Sequence, residues 1–165
     1  MDLVRALARP MLGSMFVYGG LDSLRRPEAK AAKADKVVGP LEDTLSDNLG
    51  VDAHTAGLVR LNGAVQVAAG LALAAGKLPR VAALALAVSL VPTTLAGHRF
   101  WEESDPAARA GQTIHFLKNV SMLGGLLIAA DDTGGRPSIP WRIHEAVDHA
   151  RDGLAHVELA HAIHG

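Results

Sequence analysis

The chain is 165 residues long, enough for one domain with a core of its own. Apolar residues make up 49% and charged residues 20%, which excludes disorder, and a formal net charge of −1 excludes the basic footprint of a nucleic-acid binder. There is no cysteine, so the chain can form no disulfide and supply no thiolate of its own.

The first predicted element is an apolar helix from about Leu3 to Leu21, ending at Asp22. It reaches spanning length only by including Arg5 and Arg9, whose long stems can snorkel to an interface. A signal peptide fits it poorly, because "LARPMLGSMFVYGGLDSL" lacks a small-x-small cleavage site after a clean apolar core. The polar connection "DSLRRPEAKAAKADKVVGPLEDTLSDNLGVDAH" follows. Within it Leu41, Leu45 and Leu49 recur every fourth residue, which predicts a short amphipathic helix started by Pro40.

The second span runs from about Thr55 to Ala75, and "GKLPR" turns it tightly into an antiparallel third span, Pro79 to Gly97. Val81 to Gly97 is 17 residues without a charge and apolar on every face. A soluble bundle is the rival reading, given a mean hydropathy of only +0.20. Its surface helices would be amphipathic and poor in glycine, and these are neither. Pro92 beside Thr93 and Thr94 predicts a kink whose freed carbonyl a hydroxyl re-satisfies.

"HRFWEESDPAARAGQ" then offers Phe100 and Trp101 as interfacial anchors, and a fourth span opens near Gly111 and ends near Ala130. Ser121, Gly125 and Ala129 form a small-residue ridge along it, expected to pack against another helix. The glycine pairs at 19–20 and 124–125 read as packing or flexibility residues. Residues 136–165 form a separate amphipathic helix, with Ile143, Val147, Ala150, Leu154 and Val157 on one face. Glu145, His149, Asp152 and His156 lie opposite; they make a solvated face rather than a metal site, since no closed ligand set is visible. The fold class expected is therefore all-α: an integral membrane four-helix bundle over residues 1–135, plus this C-terminal helix.

Up-and-down order brings the ends of spans 1 and 3 to the same side as the starts of spans 2 and 4. Tyr18 and Asp22, then Arg60, Asn62 and Gln66, then His98, then Gln112, His115, Lys118 and Asn119 all fall in that half. Ionisable residues inside a membrane are costly and mark a functional site by default, so these ten are the candidate polar pocket. The alternative is that the charges snorkel and that Asn62, Gln66 and Asn119 are hydrogen-bonding glue between helices. For Arg99 and Arg109 snorkelling is the preferred reading. If Asp22, Arg60, His115 and Lys118 share one site, neutralising Asp22 should partly rescue Lys118→Met. No nucleophile–base–orienter set, phosphate loop or metal motif is present in the sequence.

"LVRLNGAVQVAAGLALAAGKLPRVAALALAVSLVPTTLAGHRFW", with its G-H-x-F-W ending, and "QTIHFLKNVSMLGGLLIAA", with F-L-K-N-x-x-x-x-G-G-L-L, resemble the DoxX family of small bacterial four-helix membrane proteins, its actinobacterial members especially. The likeness runs from the first span to "DTGGRPS" and leaves out the C-terminal helix. The family is similar to the small membrane subunit of thiosulfate–quinone oxidoreductase, and some members are linked to oxidative-stress and thiol-redox complexes. Most have no established activity. The family pattern falls on His98, Phe100, Trp101, Phe116, Leu117, Lys118 and Asn119.

The function expected is a redox-associated membrane subunit, accessory rather than a stand-alone enzyme. It would hold a quinone-like or other amphipathic molecule, or dock a redox partner, at the polar half of the bundle. His115 or His98 would relay a proton, with Lys118 and Asn119 as donors. The alternatives are a non-catalytic scaffold for oxidative-stress or thiol-metabolism proteins, and a small-solute or lipid transporter; four spans with no half-helix pair disfavour the last. Quinone is the one cofactor considered. The partners expected are the lipid bilayer and a redox protein, with self-association left open and nucleic acid excluded. Lys77 and Arg80 in the short turn, with Arg5 and Arg9, place both termini in the cytoplasm of a multi-pass cell-membrane protein by the positive-inside rule.

Overall fold

A computed structural model describes residues 3–49 and 54–132. Among them are five α-helices and one 3₁₀ turn, with no strand: α1 (Leu3–Arg25), α2 (Pro27–Leu49), α3 (Thr55–Ala74), α4 (Pro79–Gly97), the turn Phe100–Glu102 and α5 (Pro106–Asp131). The chain divides into the units Met1–Asp131 and Asp132–Gly165. The helix expected over residues 136–165, with Glu145, His149, Asp152 and His156, lies outside the described residues.

Among the described residues, three segments are long and apolar enough to cross a membrane: Thr55–Ala74, Pro79–Glu102 and Pro106–Asp131. The 20 residues of α3 rise about 30 Å, the thickness of a hydrocarbon core. By the same measure α1 does not qualify, because Arg5, Arg9 and Asp22 dilute its apolar run.

α1 runs antiparallel to α3, and glycines set how closely. Gly13 lies opposite Gly70 and Gly20 opposite Gly63, so two pairs seven residues apart bring the backbones together. A Cβ on Gly13 would stand 2.6 Å from the Gly70 carbonyl oxygen, and one on Gly20 2.6 Å from that of Gly63. The ridge expected on the last span is not the counterpart of this seam. Ser121 is exposed, a Cβ on Gly124 would meet nothing within 4 Å, and Gly125 makes ordinary contact with Leu12.

α3 ends in a Schellman motif. Lys77 N–H donates to the Ala72 carbonyl at 2.8 Å and Gly76 N–H to that of Leu73 at 3.0 Å, with Gly76 at φ 67°. Leu78, also left-handed at φ 47°, leads into Pro79 at the start of α4. On α4, the Thr93 hydroxyl donates to the Ser89 carbonyl and that of Thr94 to the Leu90 carbonyl. Neither takes the Val88 carbonyl whose helical donor Pro92 lacks, as the sequence had suggested one would. α5 packs back on α4, and Arg80 Nε donates to the Ala130 carbonyl near its end at 2.8 Å. The apolar core of Phe16, Leu73, Ala83, Leu86, Leu90 and Leu126 fills the half nearer the α3–α4 turn.

Two boundaries differ from the sequence expectation. α5 begins at Pro106 rather than near Gly111, because Asp105 caps it: its Oδ2 accepts the Ala108 N–H at 2.7 Å, with Pro106 in the first helical position. α2 begins at Pro27 rather than Pro40 and is a full 23 residues. "PEAKAAKADK" is rich in strong helix formers, and Pro27, almost fully buried, starts it. α2 crosses the end of the bundle where α1 finishes and α3 begins.

Candidate functional site

The half of the bundle away from the α3–α4 turn carries two polar layers. The inner one joins α3, α4 and α5. Asn62 Nδ2 and Gln66 Nε2 donate to Thr93 Oγ1 at 3.1 and 3.2 Å, while that hydroxyl donates to the Ser89 carbonyl at 2.8 Å. One donor and two lone pairs are all in use. Beside it, Asn119 Nδ2 donates to Thr94 Oγ1 at 3.0 Å, and Thr94 donates to the Leu90 carbonyl at 2.7 Å. Gln66, Thr94 and Asn119 are buried, and among the described residues no buried side-chain nitrogen or oxygen lacks a partner. Each amide meets a threonine hydroxyl across a helix–helix boundary, which is how polar residues join helices in an apolar medium.

The outer layer is built on the α4–α5 connection. His98 caps α4, its N–H donating to the Thr94 carbonyl at 3.0 Å. His98 Nδ1 lies 2.9 Å from Gln112 Oε1. With the amide oxygen as acceptor, Nδ1 carries the ring proton and Nε2 is left as the basic nitrogen. His115, one turn along α5 from Gln112, stacks on His98 with ring centroids 5.2 Å apart and planes at 23°. His98 and Gln112 are half-buried, and His115 is exposed.

Next to this pair Phe100, Trp101 and Phe116 form a closed aromatic triangle. Its centroid separations are 5.1, 5.3 and 6.1 Å, every pair edge to face. That geometry matches the ring quadrupoles, and Trp101 stays half-exposed, as an interfacial anchor does. The site thus sets two stacked imidazoles beside an apolar aromatic surface. Among the described residues no group of three or more metal-ligating side chains occurs.

Two charged members of the expected pocket, Asp22 and Arg60, find their partners on α2. Asp22 pairs with Lys30 of α2 at 2.7 Å, and Arg60 with Glu28 of α2 at 3.0 Å. Lys30 also donates to Ser23 Oγ at 3.0 Å and to the Gly19 carbonyl at 3.4 Å. Its hydrogen bond and charge hold the Asp22 carboxyl below the usual carboxylate range. Asp22 and Arg60 therefore pair with α2, which brings countercharges of its own, rather than with Lys118 or His115. Tyr18 points outward, three-quarters exposed. Lys118 is half-buried on α5, one turn from His115. Sequence reasoning missed Glu28 and Lys30, whose partners depend on the corner between α1 and α2. It also missed Thr93 as a node, having reserved its hydroxyl for a proline-freed carbonyl.

Helices of this length and apolarity, joined by buried amide–hydroxyl bonds, define an all-α integral membrane protein. The chain belongs to the DoxX family, whose profile matches residues 4–99, from α1 through α4 and His98. The aromatic triangle and α5, with Gln112 and His115, lie beyond the matched residues. No curated protein and no solved structure matches the chain.

Proposed function

We propose that this protein is a redox-associated membrane subunit that holds a quinone-like or similar amphipathic ring at the exposed face of His115. What carries the reading is the His98–His115 stack, oriented by Gln112 and bordered by three aromatic rings. A quinone head needs a donor for each carbonyl and a group that passes protons as it is reduced. The imidazoles serve the second need, and Lys118, one turn from His115, serves the first. The absence of cysteine leaves thiol chemistry to a partner.

In this reading α1 is a fourth span. Leu3, Leu7, Met11 and Met15 stand exposed at every fourth position, an outward apolar stripe suited to lipid, and the stretch from Leu3 to Leu21, ahead of Asp22, rises about 28 Å. The protein lies in the cell membrane with its N-terminus and the α3–α4 turn in the cytoplasm, where Arg5, Arg9, Lys77 and Arg80 gather.

The second reading is a non-catalytic scaffold for oxidative-stress or thiol-metabolism proteins. It draws on the inner layer being saturated, so that no buried group there calls for a ligand. Titration of the purified protein with a short-chain quinone, read by Trp101 fluorescence in a Trp141→Phe background, separates the two. Saturable quenching that His115→Ala abolishes supports the site. Quenching that never saturates removes it and leaves the scaffold.

A further inference from the structure

α2 is held differently from the other helices. Its side chains are described as far as Gly39, and over that stretch Pro27 and Ala34 are the buried ones. It also packs along α4, and its side-chain hydrogen bonds and ion pairs reach three further elements. Lys30 binds Asp22 of α1, Glu28 binds Arg60 of α3, Asp35 Oδ1 accepts from Thr55 Oγ1 at the head of α3 at 3.3 Å, and Lys36 binds Glu102 of the 3₁₀ turn at 3.0 Å.

These contacts are unequal. At the α1–α2 corner, Pro27 is almost fully buried and the Lys30 ammonium has three acceptors: the Asp22 carboxylate, the Ser23 hydroxyl and the Gly19 carbonyl. Farther out, the Lys36–Glu102 side chains are 64% and 41% exposed, so water and salt ions compete for them directly. Glu28–Arg60, at 71% and 57%, is equally open. Thr55 is nevertheless buried where α2 passes the head of α3.

We propose that α2 is a strap across the polar end of the bundle, anchored at the Pro27–Lys30 corner and fastened farther along by solvent-exposed ion pairs. Its release bares the head of α3 without unfolding the bundle. The device is independent of what binds beside His115. Its control variable is the ionic environment at the membrane surface, since screening weakens exposed pairs and leaves apolar burial intact.

A cysteine-free chain makes the test direct. Thr55→Cys places one thiol under the strap, and its rate of reaction with N-ethylmaleimide is followed in detergent-solubilised full-length protein. The rate should be slow at low salt and rise as salt is added. Arg60→Glu should raise it about two- to fivefold, the value of one exposed ion pair. Exchanging the charges, Arg60→Glu with Glu28→Arg, should bring it back. Ser89→Cys, buried in the middle of α4, serves as the second reporter and should stay unreactive throughout. The proposal fails if Thr55→Cys is insensitive to both salt and charge reversal. It fails equally if Ser89→Cys becomes reactive in parallel, because the opening would then be global.

Discussion

Gly13 and Gly70 face each other so closely that a methyl group on either would meet the other's backbone, at 2.6 Å from Gly13 and 3.0 Å from Gly70. Gly20 and Gly63 repeat the relationship two turns along. Because the obstructing atoms are carbonyl oxygens, no rotamer change relieves the clash. Gly13→Ala and Gly20→Ala should each destabilise the protein by about 1–3 kcal/mol, the usual cost of overpacking. Gly124→Ala is the control, with nothing within 4 Å of its new methyl, and should lie within about 0.5 kcal/mol of the parent. Thermal unfolding in one detergent compares all three. Equal effects would mean that α1 and α3 are not in this close contact.

The two threonines of α4 should not be equivalent. Thr93→Val removes the acceptor of both Asn62 and Gln66, whereas Thr94→Val removes that of Asn119 alone. Stranding a buried polar group costs about 1–3 kcal/mol. Gln66 is buried and Asn62 only half-buried, so Thr93→Val should cost the full penalty for one amide and part of it for the other. A denaturation series in which Thr94→Val is the more damaging would contradict the hydroxyl node.

What the sequence made legible follows from how strongly each feature is dictated. An apolar run leaves the backbone no partner but itself, so α3 and α4 could be read almost to the residue. Their up-and-down order is enough to set His98 against Gln112 and His115. The Asp22 partner could not be read the same way. Lys30 is eight residues away across a corner at Arg26, visible only once α2 is known to begin at Pro27. The Leu41, Leu45 and Leu49 repeat marks only the second half of that helix. The glycine seam was open to view as Gly13/Gly20 and Gly63/Gly70, each pair seven apart. Small residues are common in apolar helices, however, and spacing alone did not tell this seam from Ser121, Gly125 and Ala129.

Acidification should loosen the α1–α2 corner. Lys30 depresses the Asp22 pKa, so the carboxylate's contribution is complete above its unfolded-state value and disappears as pH falls through the lower, folded one. Asp22→Asn has no such charge to lose. Parent and variant should therefore differ in stability at neutral pH and converge at acid pH, below the usual carboxylate range. A gap that persists undiminished in acid would show that Asp22 acts by shape rather than by charge.

A double-mutant cycle decides which cation Asp22 serves. Convergence of helix ends pairs it with Lys118, in which case Asp22→Asn would partly rescue Lys118→Met. The geometry pairs it with Lys30 at 2.7 Å instead. Residues without a shared partner add, whereas members of one ion pair do not. Asp22→Asn and Lys118→Met should therefore have additive effects on thermal stability. Asp22→Asn with Lys30→Met should cost less than the sum of the two single changes, because the second substitution removes a charge that the first has already left unpaired. If Lys118 shows the coupling and Lys30 does not, α2 does not sit on Asp22, and the candidate pocket regains its acidic wall.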